Sequence, residues 1–125
     1  MAFSRTGLIE QLEFEGFSNA DATFAVDSLD TDYQVQAGKK AQEYVESMAF
    51  SRTGLIEQLG FEGFTPEHST AAVDSMTIDY NEQAAKKAQE YLDSSSFSRA
   101  GLIDQLTFEG FTAEQATYGV DQTGL

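Results

Sequence analysis

The sequence predicts an all-α protein of tandem three-helix units, each containing a helix-turn-helix. Three observations support this prediction. The decamer FSRTGLIEQL occurs at residues 3–12 and again at 50–59, and FSRAGLIDQL follows at 97–106. The serine of this motif therefore recurs every 47 residues, a period typical of arrays of supersecondary units, whose repeats run to about 20–50 residues. Apolar residues within each copy also recur at helical spacing.

The composition restricts the possible functions. Seven basic and 21 acidic residues give the 125-residue chain a formal net charge of -14. Such a chain repels nucleic acids and anionic membranes, and either favours a basic partner or simply remains soluble. The chain has no cysteine, and its single histidine, His68, has no equivalent in the other copies, so the sequence indicates no Cys-His or Ser-His-Asp set. We therefore expect no enzyme activity, no cofactor and no metal site.

The first helix of a copy is expected from about Tyr33 and again from about Tyr80. Asp79 is suited to be the N-cap of the later helix, with Glu82 three residues on. A single apolar stripe follows from the helical spacing of Tyr80, Ala84, Ala88, Tyr91 and Leu92.

The decamer is expected to be the second helix. Ser51 is a good N-cap, and Phe50 before it can contact Leu55 as a hydrophobic staple. The helix should end at FEGF, where Gly63 can adopt the left-handed conformation and Phe64 can fold back on the last turn. The same ending occurs in all three copies.

The third helix is expected to begin after Thr65, with Pro66 in its first turn. In the last copy Thr112 and Gln115 form a capping-box pattern. The second and third helices then form a helix-turn-helix. DNA binding is nevertheless disfavoured, because the third helix of the middle copy, PEHSTAAVDSM, carries no Lys or Arg to neutralise phosphates.

Two groupings of the helices are possible. We expect complete units at residues 31–77 and 78–125, preceded at 1–30 by an incomplete unit with second and third helices only. The alternative places complete units at 1–47 and 48–94. In the expected grouping the helix near 81–94 packs on residues 97–122. The apolar residues of the first copy, Leu8, Ile9 and Leu12, should then be more exposed than Leu102, Ile103 and Leu106.

Arginines and aspartates recur at fixed positions of the repeat. We expect structural ion pairs between Arg52 and Asp74 and between Arg99 and Asp121, because Arg is commonly used to pair with carboxylates. The alternative is that the arginines form an anion site.

Acidic residues also recur. Glu57 and Asp104 share one repeat position, and Glu62 and Glu109 share another. Such positions are often only a solvated face. Their fixed register also allows stripes of negative charge that attract a basic ligand.

The segments FSRTGLIEQLEFEGF, FTAEQATYGVD and YNEQAAKKAQEYL resemble the repeat of the host cell surface-exposed lipoprotein family, the Ltp type. Its best-known members are superinfection-exclusion lipoproteins of temperate phages of Gram-positive bacteria. The resemblance implies an all-helical domain held outside the Gram-positive membrane by a lipidated N-terminal cysteine. This sequence lacks that cysteine, so the lipid anchor would come from a segment outside it.

The resemblance further implies that an acidic face binds the basic tape-measure protein of an incoming phage and blocks DNA injection. We assign that face to the charged second helices of the complete units. Its residues would be Glu57, Glu62, Asp104 and Glu109. The alternative is a host cell-wall structural or adhesion module with no phage role.

Overall fold

The computed structural model describes residues 2–29 and 31–125, and the prediction of an all-α protein is confirmed for them. They form eight helices and no strand. In chain order the helices are α1 (Arg5–Phe14), α2 (Asn19–Asp27), α3 (Tyr33–Ser47), α4 (Arg52–Phe61), α5 (Pro66–Asp74), α6 (Tyr80–Ser94), α7 (Arg99–Phe108) and α8 (Ala113–Gln122). The first helices of the copies are α3 and α6, the second helices α1, α4 and α7, and the third helices α2, α5 and α8.

The helices begin where the sequence places their caps. The Ser51 hydroxyl accepts a hydrogen bond from the Gly54 amide at 2.9 Å. The Asp79 carboxylate caps α6, and Thr112 with Gln115 forms the expected capping box of α8. Each cap satisfies an amide that has no partner within its helix, which is why these side chains fix where the helices begin.

The second helices end in the expected glycine turn. Gly63 has φ 97°, and its amide donates to the Gly60 carbonyl at 3.0 Å. The Phe64 amide donates to the Leu59 carbonyl at 3.2 Å. These two bonds define a Schellman motif, so the predicted helix stop is confirmed.

The last copy packs around its first helix. α6 makes its most extensive contacts with α8 and also touches α7, while α7 packs on α8. A Cβ on Gly119 would lie 2.6 Å from the Ala84 carbonyl carbon, so glycine lets α6 and α8 approach closely. The core shared by α6, α7 and α8 contains Ala84, Ala88, Leu102, Leu106, Phe111, Ala116 and Val120.

The first copy has a smaller core, in which α1 packs on α2 around Ile9, Ala22 and Val26. Leu8 and Leu12 are half-buried, whereas their counterparts in the last copy are fully buried. The expected difference in exposure is confirmed for these two positions. It is wrong for Ile9, which is 8% exposed while Ile103 is half-buried, because Ile9 lies directly against α2.

A serine at the start of one second helix contacts the glycine turn of the next copy. The Ser4 hydroxyl donates to the Glu62 carbonyl at 2.6 Å. The Ser51 hydroxyl makes the same bond to the Glu109 carbonyl at 2.6 Å. Neighbouring copies are therefore joined through backbone carbonyls that a helix end leaves without a partner.

The chain divides into two compact units, Met1–Glu43 with Ile56–Met76 and Tyr44–Leu55 with Thr77–Leu125. These bounds differ from those expected from the sequence, because the serine contacts join residues of neighbouring copies. Three-helix units at 31–77 and 78–125, with an incomplete unit at 1–30, stay a prediction.

We predict that Gly63→Ala destabilises the protein more than Gly16→Ala. Both glycines have positive φ, so alanine should cost about 1 kcal/mol at either position. At Gly63 a Cβ would also lie 2.7 Å from the Ser4 hydroxyl and 3.0 Å from the Thr6 Cβ, whereas at Gly16 nothing lies within 4 Å. Urea unfolding of both variants measures the difference, and equal losses would contradict the contact.

We also predict that Ser69→Ala stabilises the protein by about 1 kcal/mol. Ser69 is fully buried in α5, and its hydroxyl has no hydrogen-bond partner among the described residues. The other copies have Ala22 and Ala116 at this position. The reverse change, Ala116→Ser, should destabilise by a similar amount. A lower melting temperature for Ser69→Ala would contradict the prediction.

Candidate binding surface

Acidic residues lie at the C-terminal ends of the second helices. Glu15 and Glu109 are the C-cap residues of α1 and α7, and Glu62 directly follows α4. No described helix carries a basic residue in its last turn. A carboxylate at this end adds to the negative pole of the helix dipole, which is unfavourable for the helix and favourable for a bound cation.

The structure places the four expected patch residues in two pairs. Glu57 lies on α4 and Glu62 just after it, while Asp104 lies on α7 and Glu109 just after it. The two pairs belong to different compact units. Glu57 and Asp104 are exposed, and neither carboxylate has an ion-pair or hydrogen-bond partner among the described residues. Both carboxylates are open to a cationic ligand.

Glu109 is half-buried and already engaged within the chain. Its carboxylate lies 3.8 Å from the Lys87 ammonium and accepts hydrogen bonds from the Tyr91 hydroxyl and from the Gln105 amide at 3.2 Å. Burial, and then this bond to Glu109, raise the pKa of Tyr91 above its ordinary value. Glu109 therefore holds α6 on α7, a role that its sequence position did not reveal.

Glu15 occupies the corresponding position in the first copy and differs in its surroundings. It is exposed, and no described side chain forms an ion pair or hydrogen bond with it. Sequence reasoning did not select Glu15 as a site residue. The usable signal was that residues 1–29 contain no lysine and no tyrosine that could engage this carboxylate as Lys87 and Tyr91 engage Glu109.

A phenylalanine precedes each of these glutamates and is exposed. Phe14, Phe61 and Phe108 expose 87%, 84% and 86% of their surface. Isolated exposed apolar residues are normal, but here the exposure recurs at one position of every copy. A phenyl face next to a carboxylate suits a Lys or Arg side chain, which can contact both. We call these Phe-Glu dipeptides, at residues 14–15, 61–62 and 108–109, the Phe-Glu ends.

Two of the repeat arginines, Arg5 and Arg99, are paired with aspartates. Arg99 lies 2.5 Å from Asp121, and Arg5 makes two hydrogen bonds to Asp27 at 2.7 and 3.0 Å. The bond from Arg5 lowers the pKa of Asp27 and raises that of Arg5. These pairs are about half exposed, so each contributes little stability. Engagement by carboxylates disfavours an anion site at Arg5 and Arg99.

The corresponding pairing of Arg52 with Asp74 stays a prediction.

Within the described part of the chain, no group of three His, Asp or Glu residues is arranged to hold a metal ion. The same residues include no helix with the length and apolar character needed to cross a bilayer.

We predict that Tyr91→Phe lowers the free energy of unfolding by about 1 kcal/mol at pH 7, because it removes the hydrogen bond to Glu109. The raised pKa favours the neutral hydroxyl in the folded state. Its contribution is therefore complete below the unfolded pKa of about 10 and is lost as pH rises through the folded pKa. Urea unfolding at pH 7–11 should show the two proteins converging at high pH. Tyr118→Phe, an exposed change on α8, is the control.

The comparisons with known proteins agree with this architecture. A family model described as host cell surface-exposed lipoprotein matches residues 1–29, 32–76 and 79–122. The second and third matches begin directly before α3 and α6. No curated protein matches the chain.

A solved structure also matches, that of Ltp, a superinfection exclusion protein from the Streptococcus thermophilus temperate phage TP-J34. It is 36% identical, with a TM-score of 0.68, and the match covers 74% of this chain and 97% of that one. The resemblance identified from the sequence is confirmed: the chain belongs to the host cell surface-exposed lipoprotein family.

Proposed function

We propose that this protein acts in superinfection exclusion at the cell surface. It binds a basic segment of the tape-measure protein of an incoming phage and thereby blocks DNA injection. The solved relative, a phage superinfection exclusion protein, supports the general role, and the family description supports a surface location. Binding alone accounts for the effect, so no catalysis, cofactor or metal is proposed.

The observation that carries the proposal is the composition of the Phe-Glu ends. Each combines a glutamate, the negative pole of a helix and an exposed phenyl ring. A lysine-rich helical segment fits this combination, since its ammonium groups meet the negative helix ends while its methylene stems contact the rings. Nucleic acids and teichoic acids share the negative charge of the chain and gain nothing from it.

The net charge of -14 also determines how capture would occur. A field of one sign steers a basic segment towards the protein and accelerates association, and salt screens this effect. Capture must occur before the DNA crosses the membrane, so a fast association rate suits the role.

We predict that neutralising the four patch residues weakens capture. The variant carries Glu57→Gln, Glu62→Gln, Asp104→Asn and Glu109→Gln. The matched control neutralises four carboxylates in the first turns of helices, Asp21, Glu67, Glu82 and Glu114. Both variants lose the same charge, but only the first changes the negative helix ends. The first also removes the contact of Glu109 with Lys87, so urea unfolding of both variants checks that each remains folded.

Each protein is anchored on Gram-positive cells through an added lipidated cysteine, and phage plating and pull-down from infected cells are measured. Wild type and control should exclude phage and recover a basic phage structural protein, with recovery falling at high salt. The patch variant should bind at least about tenfold more weakly. Full exclusion by the patch variant contradicts the acidic mechanism. An absence of exclusion by anchored wild type favours the adhesion alternative.

A further inference from the structure

One face of the second helices is exposed in every copy. On it an acidic residue precedes a phenylalanine by four positions, and all six residues are exposed: Glu10, Phe14, Glu57, Phe61, Asp104 and Phe108. The rings are 87%, 84% and 86% exposed in chain order, although α6 packs on α7 in the last copy. The middle copy has another copy on either side in the sequence. This exposure is therefore a property of the repeat and does not depend on an accompanying first helix or on a position at the end of the array.

In α1 this face points away from the core. Ile9 and Leu12 pack towards α2. Gly7, Glu10 and Phe14 are three, four and seven positions apart, so they share a different face of the helix. Phe14 is five positions from Ile9, which places it about 140° further around the helix axis.

The end of α4 lies at the start of this face. The Ser4 hydroxyl donates to the Glu62 carbonyl at 2.6 Å, and a Cβ on Gly7 would lie 3.8 Å from the same carbonyl oxygen. Phe61 directly precedes Glu62, so its exposed ring belongs to this junction. Seven residues of helix span about 10.5 Å, so Phe14 lies about that far along α1 from the junction. All of these residues belong to the first of the two compact units.

We propose that this face is a docking track for a basic amphipathic helix of the captured phage protein. The α1 track consists of Phe61, Gly7, Glu10 and Phe14. The partner helix places one apolar side chain against Phe61 and a second, seven positions later, against Phe14. A lysine between them points towards Glu10. The inference rests on the proposed function for the identity of the partner.

The length of the track favours a helix over an extended segment. Side chains on one face of a helix recur after seven residues, at about 10.5 Å, which matches the separation of the two ends of the track. Along a strand, side chains on one face recur at every second residue, at about 6.6 Å and then about 13 Å. An extended segment therefore brings only one apolar side chain into register with the two rings.

Charge favours a basic partner over a second copy of this chain and over a membrane. The Glu10 carboxylate has no ion-pair or hydrogen-bond partner among the described residues. It is open to a lysine whose stem contacts the ring of Phe14. A second copy carries the same net charge of -14 and is repelled, as is an anionic lipid surface.

The test measures binding of two fluorescein-labelled peptides to the full chain by fluorescence anisotropy. Both peptides are alanine-based helices of about 15 residues with the same composition, which includes two leucines and two lysines. In the first peptide the leucines are seven positions apart with the lysines between them. In the control peptide the leucines are five positions apart, which places them on different faces. The first peptide should bind at least about tenfold more tightly than the control.

Variants of the chain locate the site. The double variant Phe14→Ala with Phe61→Ala changes two exposed side chains and should weaken binding of the first peptide at least about tenfold. Phe24→Ala, an exposed change on α2, is the matched control and should leave binding unchanged. Glu10→Gln should weaken binding about threefold and reduce its salt dependence. Asp21→Asn, the same loss of charge on α2, should do neither.

The proposal is overturned if the chain does not bind the first peptide at about 1 mM, if the two peptides bind equally, or if the double variant binds the first peptide as wild type does. It is also overturned, in favour of a second copy, if sedimentation shows a dimer that the double variant dissociates. Binding of wild type, but not of the double variant, to phosphatidylcholine vesicles overturns it in favour of a membrane.

Phage plating separates this inference from the proposed function. If the anchored double variant excludes phage as wild type does while the patch variant fails, the function stands and the track proposal is wrong. If the double variant loses exclusion with its fold intact, the track proposal is supported. If anchored wild type excludes no phage, the proposed function fails, and the peptide measurements then decide alone whether the track binds a basic helix.

Discussion

The structure depends on one serine hydroxyl that makes two hydrogen bonds. Ser51 accepts from the Gly54 amide, which begins α4, and donates to the Glu109 carbonyl, which ends α7. The serine is 3% exposed, so both bonds form away from water, where leaving either partner unsatisfied is costly. Gly110, which follows Glu109, has φ 104°. A Cβ at Gly110 would lie 2.8 Å from the Ser51 hydroxyl. One contact thus begins a helix, ends another and explains why the turn residue is glycine.

Local features of the fold could be predicted from the sequence, and tertiary features could not. Ser51 and Gly63 act on the nearest turn of backbone, so their residue types alone indicate a cap and a stop. The engagement of Glu109 depends on Lys87 and Tyr91, which reach it only when α6 lies against α7. The exposure of Phe61 could not be predicted either, because a phenylalanine at the end of a helical pattern resembles a core residue until its surroundings are known.

The helix ends show where the sequence departs from what stability alone favours. Described N-termini carry good caps such as Ser4, Ser98 and Thr112. The described C-termini carry no basic residue, and several carry a glutamate at the negative pole of the dipole. Natural sequences tend to break such local rules at functional sites. The loss is tolerated because fully buried leucines such as Leu102 and Leu106 supply stability independently of charge.

The identity of residues 2–12 and 49–59 has a consequence for folding kinetics. A folding chain cannot distinguish these two segments by their own side chains, so each can briefly take the place of the other. Repeat proteins are prone to such misassembly. The flanking residues must then correct the register: Glu13 follows one segment and Gly60 the other, and glycine weakens the final turn of α4 relative to that of α1. Synthesis from the N-terminus also helps, because α1 leaves the ribosome and can pair with α2 before its duplicate exists.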